Sequence, residues 1–489
     1  MKTRKTLTAE NEIVQAILEL TGQPADLRLL SLGEDGSLNV MYLKSLVTLE
    51  NYQGLINSLA QGLFVENGQI SALGMNRSFQ THSDLNLAIE KLLEGRLLII
   101  KAGQTNVFSL DLQGWLKRPP QEPQTERLIR GPREGFVETL DDNIGMVRRW
   151  VQDTKLKVEE MRLGRRTKTR VAIMYLSDVA QPRMVNEVNR RLSAIDIDGI
   201  LESGYIEQLI TDRRASIFPL TQCTERSDKV AAAILEGRVA LLVDKSPTSV
   251  IVPVTINEMY QSPEDYYYNF WIGSFLRLIR LLGNNLAVIF PGLYIALVAF
   301  HPEMLPTPLA LSIAATSARV PLPTVAELLL LEIMVEIFRE AGLRLPGAVG
   351  QTLGVVAGIV LGMSAVEAGF VSPATLVVVA ITAIASFTGP NYSVGIAWRL
   401  LKFFVVIAAA FFGLYGIIVG GMLILIHAAD LKSFGVSYLA PWAPLQWNEL
   451  NDGAVRKPFW ARRYRPETYR PQDELRSGGT KREDNQFEE

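Results

Sequence analysis

Three histidines, one cysteine and several groups of carboxylates are the side chains of this chain that could do chemistry, and their spacing supports little catalysis. His82, His301 and His427 lie far apart, and no HExxH, GxxxxGKS/T, GxSxG or GxGxxG occurs. Cys223 is the only thiol, so neither an intrachain disulfide framework nor a cysteine-based zinc site is available. Glu159-Glu160 reads as a solvated face and Ser227-Asp228 as a helix cap. No catalytic residue, metal ligand or cofactor is assigned, and the chain reads as something other than an enzyme.

The acids from Glu327 onward are arranged differently. Residues 324–342, TVAELLLLEIMVEIFREAG, carry Glu332, Glu336 and Glu340 every four residues beside the apolar run Leu328 to Leu331, with Glu327 as a fourth acid. On a helix that spacing makes one acidic face. Facing lipid, each carboxylate at mid-depth would be costly, so this segment must lie at the interface, re-enter against protein or line water. Copies gathered around an axis would form a ring of carboxylates that concentrates cations at a pore mouth. The plainer alternative is an interfacial helix whose acids face water, partly neutralised by Arg339 and Arg344.

Residues 345–366 then place Gly350, Gly354, Gly358 and Gly362 four apart, a groove along which a neighbouring helix can approach closely. The adjacent face carries Gln351, Val355, Ile359, Met363 and, about one turn on, Glu367. Polar ends around an apolar middle suit a pore helix with a constriction that gates by dewetting. A buried helix with Glu367 at the headgroups would show the same pattern.

The charge distribution says where these elements must sit. Residues 271–430 hold 14 charged side chains in 160, against 86 in the other 329, although the net charge is only -2. Between those charges lie uncharged runs at 281–302, 345–366, 368–398 and 403–429, each long enough to span a hydrocarbon core of about 20 helical residues. This is the pattern of an all-α polytopic membrane domain behind a large soluble N-terminal part, and near-neutrality argues against nucleic acid as partner. Prolines 302, 306, 308, 321 and 323 make the stretch before the acidic helix irregular, and Pro390 and Gly395 leave 374–388 as a span with 391–398 as a connection. Four spans are favoured over five. The basic start is followed by Glu10, Asn11 and Glu12, unlike a signal peptide, so a cytoplasmic N-terminus is expected.

The soluble part alternates strand candidates (38–46, 96–101, 170–176, 238–243, 249–254) with helix candidates (11–20, 84–93, 183–192, 229–235), an α/β pattern. KRPPQEPQTE divides it, giving subdomain 1 at 1–116, a linker at 117–127 and subdomain 2 at 128–262, before the membrane domain at 263–432 and a polar, partly disordered tail at 433–489. Met-Tyr-Leu recurs at 41–43 and 174–176, Ser-Asp at 83–84 and 227–228, and Glu-Gly-Arg at 94–96 and 236–238, in the same order, which suggests two similar subdomains. In each Glu-Gly-Arg, glycine should end a helix in a left-handed turn and arginine should start a strand with its head in solvent.

Six segments carry a family resemblance: RGPREGFVETLDDNIGMVRR (130–149), FPLTQCTERSDKV (218–230), EGRVALLVDKSP (236–247), QSPEDYYY (261–268), REAGLRLPGAVGQTLG (339–354) and SFTGPNY (386–392). Together they resemble the A subunits of GerA-type nutrient germinant receptors of bacterial endospores, with the SpoVAF type as a close relative. The resemblance implies a multi-pass protein of the spore inner membrane with its soluble domain on the cytoplasmic, core side. It implies a transporter-like B subunit that binds the nutrient and a lipoprotein C subunit as partners. It further implies a homo-oligomer, a pentamer, embedded in lipid and passing monovalent cations when germination begins, with 339–368 in the pore-forming region. A secondary transporter or transport accessory, and a structural scaffold for the B subunit, are the alternatives that the residues themselves leave open.

Overall fold

The computed structural model describes residues 9–32, 38–47, 80–101, 106–111, 122–123, 126–345, 350, 354, 358–450 and 452–477. Among the described residues the N-terminal part contains two five-stranded sheets, antiparallel throughout. The first comprises β1 (Leu27–Leu32), β2 (Leu38–Leu43), β3 (Gln80–His82), β4 (Arg96–Lys101) and β5 (Val107–Asp111), in the order β1-β2-β4-β5-β3. The second comprises β6 (Leu156–Leu163), β7 (Thr169–Leu176), β8 (Gln222–Thr224), β9 (Val239–Val243) and β10 (Ser249–Val252), in the order β6-β7-β9-β10-β8. The same order from two successive segments of the N-terminal part, 27–111 and 156–252, is the topology expected of a repeat.

Burial follows the strand period. In β7, Ala172 and Met174 face the helices Leu140–Trp150 and Ser227–Leu235, while Val171 and Ile173 face Pro182–Ser193 and Ser203–Ile210. A sheet covered on both faces needs continuous apolar strands, hence VALLV in β9, buried at every position. The first sheet packs Ala9–Thr21 and Leu85–Leu93 over Met41, Leu43, Leu98 and Ile100.

The Glu-Gly-Arg copies agree in backbone, with φ +90 at both Gly95 and Gly237. Each arginine also reaches the glutamine of the edge strand: Arg96 to Gln80 Oε1 at 2.6 Å and Arg238 to Gln222 Oε1 at 2.9 Å. Arg238 is not in solvent as expected. It is buried, donates to the Pro253 carbonyl at 2.8 Å and lies 5.5 Å from the Tyr469 ring, because the tail covers this edge of the second sheet. Glu159 and Glu160 likewise hold partners, Tyr175 and Arg170, and Asp228 pairs with Arg226 at 2.8 Å where the first copy, Asp84, caps its helix through Asn86 N at 2.9 Å.

The two subdomains join through Arg148, which donates to both Asp26 oxygens at 2.6 Å, fully buried. Gly145 permits this approach, since a Cβ there would stand 2.2 Å from the Ser45 carbonyl. Most of the 117–127 linker lies outside the described residues.

Among the described residues, two helical segments of the C-terminal part have the length and apolarity to cross a membrane, Phe270–Phe300 and Tyr392–Asp430, the second of them interrupted at Gly413, with Pro373–Ser386 as a shorter apolar helix. The expected connection at 391–398 is instead the first turns of Tyr392–Asp430. Pro390 precedes the cap, and the Asn391 side chain accepts from Ser393 N and Val394 N at 3.0 and 3.3 Å. The expected single span at 403–429 is a hairpin. Gly413 is non-helical (φ 57, ψ -136), and a Cβ on Gly420 would lie 3.6 Å from both Ala408 Cβ and Phe404 Cε1. Along a straight helix at 1.5 Å per residue those positions would stand roughly 18 and 24 Å away.

Candidate functional site

The acidic helix Thr324–Arg344 lies alongside Pro373–Ser386, running the same way. Glu327 Oε1 accepts from Ser372 N at 2.5 Å, Glu332 Oε1 from Thr382 Oγ1 at 3.2 Å, and Arg339 donates to Ser386 Oγ at 2.9 Å. From the long hairpin, Lys402 donates to Glu332 Oε2 and lies 3.8 Å from Glu336. Arg339 meets Glu336 at 2.9 Å, and Arg399 approaches it to 3.9 Å. The side chains of Lys402 and Glu332 are 5% and 2% exposed. Three helices are therefore pinned by two carboxylates, Glu332 and Glu336, and three cations, Lys402, Arg339 and Arg399.

Glu327 is also buried, and among the described residues no lysine, arginine or histidine forms an ion pair with it. Its compensation is the positive end of the helix that begins at Pro373. Glu340 is exposed and paired with Arg344 at 2.5 Å. Of these four acids, Glu327 and Glu332 turn into the bundle, Glu336 is half-buried in the charge network and Glu340 faces outward.

Gly350 and Gly354 are helical, and Gly358 and Gly362 belong to a π-helical turn, Gly358–Ser364. A Cβ at Gly354, Gly358 or Gly362 would meet nothing within 4 Å, and at Gly350 only the Gly342 carbonyl at 3.8 Å. Ile359, Met363 and Glu367 are exposed, while Gln351 and Val355 lie outside the described residues. The stripe's end is anchored, since Ala365 and Val366 pack with Tyr294, Leu328 and Val371. The structure thus separates the two features joined by sequence order: the Glu332 network faces the chain's own helices, and the glycine side faces outward.

Sequence reasoning missed Lys402 as a partner for Glu332. The available signal was a lysine flanked by long uncharged runs, which demands a buried acid nearby. It also missed the joint at the head of Phe270–Ile295, where Arg277 and Asp265, both fully buried, pair at 3.2 Å. Arg277 further donates to the Asp452 carbonyl at 2.5 Å, and Arg456 donates to the Asp265 and Tyr268 carbonyls at 3.0 and 2.8 Å. The QSPEDYYY segment is therefore a tightly bonded joint between sheet, helix and tail. Its Tyr267 hydroxyl donates to Asp228 at 2.5 Å, and burial together with that carboxylate pushes the phenol's pKa well above its ordinary value. Burial, reinforced by Glu207, raises the Cys223 thiol likewise.

A family profile described as Bacillus/Clostridium GerA spore germination protein matches residues 15–468. Spore germination protein KA of Bacillus subtilis is 39% identical over 464 residues, covering 93% of this chain and 85% of that protein. Spore germination protein GerLA of Bacillus cereus is 36% identical over 477 residues, covering 94% and 96%. Spore germination protein B1 of Bacillus subtilis is 40% identical over 389 residues, covering 79% and 80%. The crystal structure of the N-terminal domain of the A subunit of the Bacillus megaterium spore germinant receptor GerK3 aligns over 51% of this chain and 97% of that one, at 32% identity and a TM-score of 0.37. With the profile spanning nearly the whole chain and relatives of this identity along its length, the chain belongs to the GerA family of spore germination proteins.

Proposed function

We propose that this chain is the A subunit of a nutrient germinant receptor of the spore inner membrane, and that copies of it assemble, as a pentamer, into a ligand-gated channel for monovalent cations. Its soluble module lies on the core side, and the nutrient is bound by a transporter-like B subunit, with a lipoprotein C subunit completing the receptor. The observation that carries the reading is the outward glycine face. Among the described residues, nothing lies within 4 Å of a Cβ placed on Gly354, Gly358 or Gly362, and these glycines stand beside exposed Ile359 and Met363. Such a surface is suited to close helix contact between copies and to an apolar constriction. The buried Lys402–Glu332 network supports a structural role for those acids, leaving Glu340 and Glu367 as the outward carboxylates that could attract cations.

Reconstitution tests this directly. Unitary conductance from the purified protein in planar bilayers supports the channel, whereas saturable, stoichiometrically coupled flux supports a carrier. Ile359→Ala and Val355→Ala should leak cations and shorten dormancy. Unchanged permeability in both, and across the glycine helix, would leave only a scaffold for the B subunit.

A further inference from the structure

The tail after Asp430 carries a surface that neither the charge network nor the glycine face uses. Residues 441–465 contain Trp442, Leu445, Trp447, Phe459, Trp460 and Tyr464, all exposed, with Trp447 at 74% and Trp460 at 65%. Large aromatics standing outward on a folded segment need a reason. The segment is not loose. Arg456 binds the Asp265 and Tyr268 carbonyls, its own N–H meets Ser274 Oγ at 3.0 Å, and the Asp452 carbonyl takes Arg277. Ser274 and Arg277 belong to the first two turns of Phe270–Ile295, so the tail is held level with the start of that helix. Trp460 packs edge-on to Phe270 at 5.7 Å, and Trp271 and Phe275 on the helix itself are exposed beside it. The ring of Trp442 lies near Gly453, one residue from the Arg277 contact.

Aromatic residues with a polar edge concentrate where a spanning helix leaves the hydrocarbon core, because the ring enters the acyl boundary while the indole N–H remains among the headgroups. We infer that residues 441–465 form a monotopic interfacial element: Trp442, Trp447 and Trp460 are seated in the headgroup layer on the soluble-module side, continuing the belt begun by Trp271. The occupant of this surface is the lipid interface. Exposed Arg463 and Arg470 follow within ten residues of Trp460, in position to meet lipid phosphates. The inference rests on the helical bundle lying in a bilayer, and the test separates the two.

The single cysteine makes the experiment clean. In a Cys223→Ser background of the full chain, Trp447→Cys and Trp460→Cys are labelled with an environment-sensitive fluorophore. The protein is reconstituted in vesicles containing phosphatidylglycerol and nitroxide lipids with the spin label near the carbonyls. Ile418→Cys, exposed on the hairpin, serves as the bilayer position and Arg166→Cys, at the surface of the second subdomain, as the water position. The expected result is strong quenching at 447 and 460 by the shallow nitroxide, weaker quenching by one deep in the acyl chain, and none at 166. If 447 and 460 behave like 166 while 418 is quenched, the inference is overturned and the surface belongs to a protein partner. If 418 is unquenched as well, the bilayer placement of the bundle falls and this inference with it. Each variant is checked first for the wild-type elution volume, so that unfolding is not read as exposure.

Discussion

Replacing Lys402 by Met gives the sharpest test of how the bundle is held. The change keeps the length of the side chain and removes its charge, leaving the buried Glu332 carboxylate with Thr382 Oγ1 as its one remaining hydrogen-bond partner among the described residues. Breaking one half of a buried pair costs about 3–5 kcal/mol, because the surviving charge keeps its desolvation penalty without the attraction that offset it. For a unit of the size of this bundle, each kcal/mol moves Tm by about 2–4 °C, so the loss should be on the order of 10 °C. Glu332→Gln should cost less, about 1–3 kcal/mol, since the amide oxygen still accepts from Thr382 and Lys402 retains Glu336 at 3.8 Å. The double variant Lys402→Met, Glu332→Gln should recover much of the loss, with a coupling energy of about 1.5 kcal/mol or more. Thermal unfolding of the four proteins in one detergent measures it. Additive effects, or a Lys402→Met protein within about 0.5 kcal/mol of wild type, would refute the assignment of the network as the pin between three helices.

Gly413→Ala should lower the stability of the hairpin by about 1–3 kcal/mol, since φ 57 with ψ -136 is a glycine conformation and the new methyl would sit 3.1 Å from Phe300; an unchanged melting temperature would argue that the chain does not reverse there. Cys223, half-buried beside Glu207, should resist alkylation at pH 8 in the folded protein and react once denatured, because desolvation and Glu207 hold its pKa well above the ordinary thiol value; rapid labelling of the native protein would contradict that shift. Glu187, hydrogen-bonded to Arg190 and Arg191, has its pKa lowered to about 2. A depressed carboxylate stabilises the fold above its unfolded pKa of about 4.3 and loses that contribution as pH falls through about 2. Glu187→Gln should therefore be a few tenths of a kcal/mol less stable at pH 7, a value limited by solvent screening, and match wild type below about pH 2; a constant gap across that range would refute the pairing.

The strands that could be read in advance are those with a continuous apolar run. The 96–101 strand matches β4 end to end, and 170–176 and 249–254 fall within two residues of β7 and β10. β3 and β8, three residues each and pinned by a glutamine to an arginine elsewhere, have no periodicity to display, because their pairing is decided by the neighbouring strand. The hairpin was hidden for the opposite reason. Hydropathy is uniform from 403 to 429, and a reversal in an apolar environment needs neither charge nor proline, only a glycine such as Gly413 that can turn and small residues, Gly416 and Gly420, that let the returning strand of helix approach. The acids were found by their spacing, but spacing on one helix cannot tell lipid, water and a neighbouring lysine apart. That distinction lies in Lys402, 70 residues away from Glu332.

The repeat explains why the same three residues, Glu-Gly-Arg, end in different surroundings. In the first copy Glu94 pairs with Lys91 at 2.6 Å on its own helix. In the second, Glu236 takes Arg462 at 3.4 Å and Arg476 at 3.2 Å from the tail, and the Gln472 N–H donates to the Val179 carbonyl at 2.8 Å just beside Gly237. The tail that grips this copy also holds Arg277 and Asp265 at the head of Phe270–Ile295. A rotation of the second subdomain relative to that helix must then either carry the tail along or break several charge-assisted bonds, each worth about 1.5–3 kcal/mol. Carrying it along costs less. Motion of the second sheet is therefore expected to reach the first long apolar helix through the tail, and the first subdomain is tied to the second by the buried Arg148–Asp26 pair together with Lys44–Asp141 at 2.7 Å and the Ala25 N–H on the Val158 carbonyl at 2.9 Å.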